Sequence, residues 1–260
     1  MCKLKIEGRY PKMNYKVYNA QMVKSAYDKL GFVDKAFDVD AIVDFGCADG
    51  SITEMIRIFY PEALIIGYDK FQKNKSTSDI IYTQNWEEVE KLIEGKSTLL
   101  VMNSVVHEIL NYEEIPFEFL QKLFSNNFKY IWIRDLYICP LSDNKEYLRV
   151  ANILREKYEE QVKDFEAIYG ALAYPQNVIH FLMKFRYVEN WKREVKEDYT
   201  LFARSFRKIL DMLEPNYWSE VSEMYVLPHT RKVNKEDFDI DLQYISNTHY
   251  KGLFRLKEWD

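Results

Sequence analysis

The sequence predicts an α/β fold: a mostly parallel sheet of seven strands, closed by a C-terminal antiparallel hairpin strand and carrying a helical insertion. Three observations predict it. Between residues 41 and 139, short and nearly all-apolar segments alternate with helical runs. Strands that are apolar on both sides must be buried on both faces, which a parallel sheet flanked by helices achieves. After Pro215, two segments alternate apolar with polar in the manner of strands, SEVSEMYVL and THYKGLFRLKEW. The intervening residues 144–214 show helical periodicity.

Taken in order, residues 15–30 place Val17, Met22, Ala26 and Leu30 at helical spacing, with Gly31 positioned to end the helix. AIVDF from Ala41 is the first strand and SITEMIRIFY from Ser51 the helix after it. ALIIGYD and, beyond a polar segment ending at Ser78, DIIYTQ are the second and third strands. WEEVEKLIEG is a helix, STLLVMNS the fourth strand, EEIPFEFLQKLF a helix and KYIWIRDLYI the fifth strand. Residues 144–169 read as one long helix ended by Gly170, 176–195 as a second and 199–214 as a third, stopped by Pro215. The charged stretch from Pro228 to Asn247 reads as a loop joining the closing strands. The expected organisation is one domain: a helical lead (1–37), a core (38–139), a helical cap inserted at 140–196, and a last helix with the closing hairpin (197–260).

Composition narrows the class. With 47% hydrophobic residues in 260, the chain can bury a proper core, and 20 Tyr and 16 Phe against 8 Gly and 7 Pro exclude low complexity. A net charge of −5 provides no global basic field for nucleic acid. Cys2, Cys47 and Cys139 stand in no CxxC or Cys/His spacing, so neither a disulfide framework nor a zinc finger is expected. No run of about 18 uncharged apolar residues occurs and the opening MCKLKIEGRYPKM lacks an apolar leader, so a soluble cytoplasmic protein without membrane partners is expected.

The chemistry concentrates at VDFGCADGS after the first strand and IIGYDKF one helix later. A turn between strand and helix that is stripped of side chains seats a ligand against its backbone and the helix N-terminus. These segments resemble the first two motifs of the class I S-adenosylmethionine-dependent methyltransferases, over roughly residues 38–137 and the order of the closing hairpin. The family's GxGxG turn falls on Gly46, Ala48 and Gly50, with Asp44 as the acid ending the first strand; Ala48 departs from the commonest middle glycine. The resemblance implies a Rossmann-like sheet, S-adenosyl-L-methionine as cofactor with its methionine part against the turn, and Asp69 as acceptor for both ribose hydroxyls. It also implies adenine contacts from Asn85 and Trp86, although Asn85 equally suits a helix N-cap. The nicotinamide fingerprint GxGxxG would fall on Gly46, Ala48 and Ser51, keeping one glycine of three.

The fourth strand runs into NSVVHEI, which puts Asn103, His107 and Glu108 at the carboxyl edge, where open α/β sheets hold ligands. Arg134 and Asp135 end the fifth strand and, being adjacent, point to opposite faces. If the sixth strand is parallel and the seventh antiparallel, His107, His229 and His249 share one rim. A histidine there can take a proton near neutral pH, or hold a metal with Glu108 or Asp135, though no metal is expected. His107, His249 and Asp135 are therefore the catalytic candidates, Asn103 joins the cofactor set, and Glu108, Arg134, His229, Tyr187 and Trp191 are acceptor contacts. The segment VIHFLMKFRYVENWKREVKEDY interleaves Lys184, Arg186, Lys192, Arg193 and Lys196 with Phe185, Tyr187, Trp191 and Tyr199. That is either a base-stacking surface or, the preferred reading, an amphipathic helix with Phe181, Phe185, Val188 and Trp191 on one face. NSVV lacks the double proline of amino-methylating DNA enzymes, and no Pro-Cys nucleophile is present, Cys139 preceding Pro140. The reading is O- or N-methylation of a small molecule, with RNA or nucleotide methylation and a catalytically inactive S-adenosylmethionine-binding protein as alternatives.

Overall fold

The computed structural model describes residues 25–35, 37–71, 74–126, 128–140, 146–185, 191–196, 203–242 and 245–257. Seven strands form one sheet in the order β3-β2-β1-β4-β5-β7-β6. They are β1 (Ala41–Phe45), β2 (Leu64–Tyr68), β3 (Ile80–Thr83), β4 (Thr98–Asn103), β5 (Tyr130–Pro140), β6 (Tyr217–Tyr225) and β7 (Ser246–Leu256). The first five pair in parallel, and β7 runs antiparallel to both β5 and β6, so β6 is parallel to the core. This is the seven-stranded, mostly parallel, Rossmann-like sheet with an antiparallel C-terminal strand that the alternation of apolar strands and helices predicts. Strand order reverses between β1 and β4, and the crevice outside their carboxyl ends is where such a sheet accepts a ligand.

Alternation along the strands builds two cores. Ile42, Ile65, Leu99, Val101 and Trp132 project to one face, where Ala26 and Leu30 from the helix at 25–29 (α1), Phe32, and Ile52 and Ile56 of α2 (Ser51–Phe59) cover them. Val43, Ile66, Leu100, Met102, Ile131 and Ile133 project to the other. There they meet α3 (Trp86–Ile93), α4 (Val106–Tyr112), α5 (Pro116–Phe124) and α10 (Ala203–Leu213). A third apolar cluster joins Leu136 and Ile138, at the far end of β5, to α6 (Glu146–Lys157), α7 (Glu159–Tyr169), α8 (Pro175–Phe185) and α9 (Trp191–Glu194).

Three expectations need correction. The long helix at 144–169 is two helices, broken at Tyr158, whose ring packs against Phe185 and Phe238 at 4.4 and 5.3 Å. No Gly or Pro marks that break, so periodicity runs straight through it. Within the run at 176–195, α8 covers the residues up to Phe185 and α9 covers Trp191–Glu194, and 186–190 lie outside the described residues. NSVVHEI contains a helix start, α4, which had been read only as strand edge. The stretch after Pro228 is not simply a loop: α11 (Pro228–Phe238) begins on that proline at its first turn, and Phe238, Ile240, Leu242 and Ile245 enter the third cluster.

Candidate cofactor and acceptor site

The turn after β1 is built from alternate left-handed residues: Gly46 at φ 78°, Ala48 at φ 48° and Gly50 at φ 80°. All three positions therefore adopt a conformation that costs an L-residue roughly 1–2 kcal/mol and a glycine almost nothing, so Ala48 carries a strain that Gly46 and Gly50 avoid. The flanking glycines are required a second time by packing. A Cβ on Gly46 would come within 2.6 Å of Val105 Cγ2, and one on Gly50 within 2.5 Å of the Tyr82 hydroxyl and 2.6 Å of Asn74 Nδ2. Protein side chains thus make the close approach that the sequence assigned to a ligand alone. Asp49 Oδ1 accepts from the N–H of Ser51, the first residue of α2, at 3.1 Å, while the N-cap itself is Gly50.

Asp44 lies beneath this turn, 2% exposed, and accepts from the Thr53 hydroxyl at 2.6 Å. Burial raises its carboxyl to about 6, Thr53 and the charge of Lys29 pulling it down and Asp69 adding to the rise. Lys29, itself buried on α1, is brought down to about 8 by burial and by Arg134, with Asp44, Asp135 and Asp49 opposing. Lys29 and Asp28 are site residues that sequence reasoning missed. Their one signal is position, two charges set beside the core-facing Ala26 and Leu30.

Asp69 stands at the end of β2 with Oδ2 accepting from Ala48 N–H at 3.0 Å and Oδ1 from Phe71 N–H at 2.8 Å. The acid and the turn are thereby tied together, and a carboxylate retains lone pairs beyond those two for ribose hydroxyls. Asn85 is the N-cap of α3, its Oδ1 accepting from Glu87 N–H at 3.0 Å. Trp86 donates to Glu90 at 2.9 Å and meets Phe45 and Tyr68 edge-on at 5.5 and 5.2 Å, so its ring belongs to an aromatic cluster under the β1–β3 rim.

The most constrained pair is His107 with Asp135, which is fully buried midway along β5; the fifth strand does not end at Arg134 and Asp135 but runs on to Pro140, beyond the point where β4 stops opposite Arg134. Asp135 Oδ2 accepts from Val106 and His107 N–H at 2.7 and 3.2 Å, capping α4, while Oδ1 contacts His107 Nδ1 at 2.6 Å and accepts from Leu136 N–H at 2.6 Å. Burial alone would lower the imidazole, but the Asp135 charge and hydrogen bond, with Glu108, hold it above its usual value. The same partner, with main-chain donors, keeps the Asp135 carboxyl below its usual range despite burial. Glu108 is exposed in the first turn of α4.

Arg134 points to the opposite face, as adjacency predicts. Its Nε donates to Asp28 Oδ2 at 2.5 Å, and Tyr225 donates to the same oxygen at 2.6 Å. The three histidines do not converge. His249 pairs in register with Leu136, whereas Tyr250 pairs with Asp135, so His249 and His107 project to opposite faces of the sheet. His249 is 1% exposed, bonded through Nδ1 to Thr248 Oγ1 at 2.9 Å, with Tyr225 beside its ring at 5.8 Å. His229 sits in the first turn of α11, half-buried.

Trp191 is also displaced from its expected role. It donates to Asp164 at 3.2 Å and packs against Phe181 and Phe185 inside the third cluster. Lys184, fully buried, donates to the Glu194 carbonyl at 2.9 Å and lies over the Tyr169 ring at 5.0 Å. The basic-aromatic segment therefore turns Lys184, Phe185 and Trp191 inward, away from any base-stacking surface; Tyr187 lies outside the described residues. Among the described residues no group of His, Cys, Asp and Glu has the arrangement of a metal site, and no helix is long and apolar enough to cross a membrane.

No protein-family model matches the chain, and no curated sequence matches it either. The chain is similar to several solved structures. The plantazolicin methyltransferase BamL, in complex with a triazolic desmethylPZN analog and SAH, is 8% identical with a TM-score of 0.48, the match covering 94% of this chain and 88% of that one. The methyltransferase domain of a bacterial CtHen1 is 12% identical at 0.46, over 90% of this chain and 100% of that one. A SAM dependent methyltransferase from Archaeoglobus fulgidus is 14% identical at 0.44, over 93% and 99%. At these identities and scores the likeness is one of general fold, which the strand order already shows.

Proposed function

We propose that this chain is a class I S-adenosylmethionine-dependent methyltransferase that transfers a methyl group to an oxygen or nitrogen of a small-molecule acceptor. One observation supports it above the rest: three alternate left-handed residues in the β1–α2 turn, joined to the β2 acid by the hydrogen bond from Ala48 to Asp69. The N–H groups of Gly46, Cys47, Ala48, Gly50 and Ser51 are held within the protein, so what the turn offers a ligand is close approach to a backbone of small residues, and the acid one strand over suits a vicinal diol. The cofactor, when bound, supplies an electrophilic methyl on a sulfonium.

The protein's own residues do the rest. Gly46, Ala48, Gly50, Asp44 and Asp69 would hold the cofactor, with Asn85 and Trp86 at the rim. On the other side of the β4–β5 edge, Asp135 holds the His107 ring through Nδ1, which supports giving this imidazole the part of general base toward the acceptor's proton. Methyl transfer asks for little beyond this alignment and a place for one proton. Lys184 and Trp191 face inward and cannot serve a nucleic-acid surface, which favours the small-molecule reading, while Lys192 and Lys196 are exposed. Calorimetry on the full chain with S-adenosylmethionine, S-adenosylhomocysteine, NAD and NADP tests the reading. Binding of the two sulfur nucleosides alone is expected, and a preference for the dinucleotides, or no binding of any, overturns it.

A further inference from the structure

We propose that Asn103 Nδ2 and Arg134 Nη2 form a two-pronged carboxylate site under α1, taking either the carboxylate of the cofactor's methionine tail or that of an acidic acceptor. Asn103 and Arg134 are register partners on β4 and β5, so their side chains stand next to each other on one face. Each is held from behind. Trp132 Nε1 donates to Asn103 Oδ1 at 3.3 Å, which turns Nδ2 the other way. Asp28 holds Arg134 through Nε at 2.5 Å, and the hydroxyl of Ser104 accepts from Nη1 at 3.0 Å.

What remains are two buried donors, Nδ2 and Nη2, with no hydrogen-bond partner among the described residues, on side chains 8% and 3% exposed. A buried donor left unmade costs roughly 1–3 kcal/mol, more when it is charged, so a neighbouring pair of them calls for oxygens brought from outside. One neutral and one guanidinium donor match the two oxygens of a carboxylate. The nearby acids face other donors, Asp28 Oδ2 accepting from Arg134 Nε and Tyr225 and Asp44 Oδ2 from Thr53, and neither accepts from Nδ2 or Nη2. Buried Lys29 adds a second positive charge on the same side.

The cofactor arm rests on the methyltransferase reading; the acceptor arm does not. Asn103→Asp is the informative variant, because it keeps the oxygen that receives Trp132 and the side-chain shape while replacing the free donor by an anion. Arg134→Lys, which keeps the charge but loses the fork, is the second variant. Calorimetry compares wild type and both variants for S-adenosylhomocysteine and its decarboxylated analogue, and thermal melts of the nucleoside-saturated proteins are run with and without benzoate or glutarate. A carboxylate from the cofactor predicts that both variants lose about tenfold or more in affinity for S-adenosylhomocysteine, with the decarboxylated analogue nearly unaffected. A carboxylate from the acceptor predicts unchanged nucleoside affinity and a melting rise with benzoate or glutarate that wild type shows and the variants lack. Unchanged nucleoside affinity with no carboxylate-dependent rise overturns the site and leaves ordered water as its occupant. Wild type that binds no nucleoside overturns the proposed function, and the melts on the bare protein then decide the carboxylate site by themselves.

Discussion

Asp44 shows most plainly how a single residue sets stability against function. Its folded carboxyl titrates near 6 against an ordinary 3.8, so the native state holds a proton more tightly than the unfolded chain across that interval. Stability from this group therefore falls as pH rises from about 4 to 6, and at neutral pH the buried charge works against folding by on the order of 3 kcal/mol. Asp44→Asn is expected to raise the melting temperature at pH 7 and to abolish cofactor binding; a lower melting temperature would contradict the reading. His107 carries the opposite sign. Because its folded value is raised, the neutral form that can accept a proton appears only above the ordinary histidine range. The rate against pH should climb to a plateau beyond that range, and a rate flat from pH 6 to 9 would reduce His107 to a positioning residue. At this scale the sequence was partly legible. VDFGCADG names the turn because each small residue answers a backbone demand, but Lys29, Thr53 and Val105 could not be read, since their roles depend on contacts made across the fold.

At the scale of elements, α4 and β5 are joined by one carboxylate. Asp135 caps the helix through two main-chain N–H groups and clamps the His107 ring with its other oxygen, so helix position and imidazole orientation are fixed together. The pair stabilises the fold between the lowered value of Asp135 and the raised value of His107. That contribution fades as pH falls through the first or rises through the second. Asp135→Asn leaves a buried imidazole without its counter-charge and is expected to cost about 3–5 kcal/mol in urea unfolding at pH 7. NMR titration of His107 in that variant should move below the wild-type value, because burial is then opposed by Glu108 alone; an unmoved titration would contradict the pairing. Elements with regular periodicity were legible, including every strand. The Tyr158 break, α4 and α11 were not: the first lacks a breaker residue, the second is two turns long, and the third has too few apolar positions to show a stripe.

For the whole molecule, the strand order places β1 and β4 at the point of reversal, and every residue assigned to the cofactor lies at the end of β1, β2, β3 or β4. That placement follows from parallel pairing, which brings all carboxyl ends to one edge, and it was readable from the alternation of strands and helices alone. The histidine cluster was not readable in the same way. It required side-chain facing as well as strand direction, and one residue of register sends His249 and His107 to opposite faces. The third apolar cluster draws on α6–α9, the far end of β5 and the segment after α11, a union of distant segments that no local pattern announces. The direct test of the whole account is calorimetric titration of S-adenosylhomocysteine into wild type and Asp69→Ala. The account predicts measurable binding by wild type and a loss of at least about tenfold in the variant, the scale of a charged hydrogen-bond acceptor removed from a ligand; equal affinity in the two proteins would contradict it.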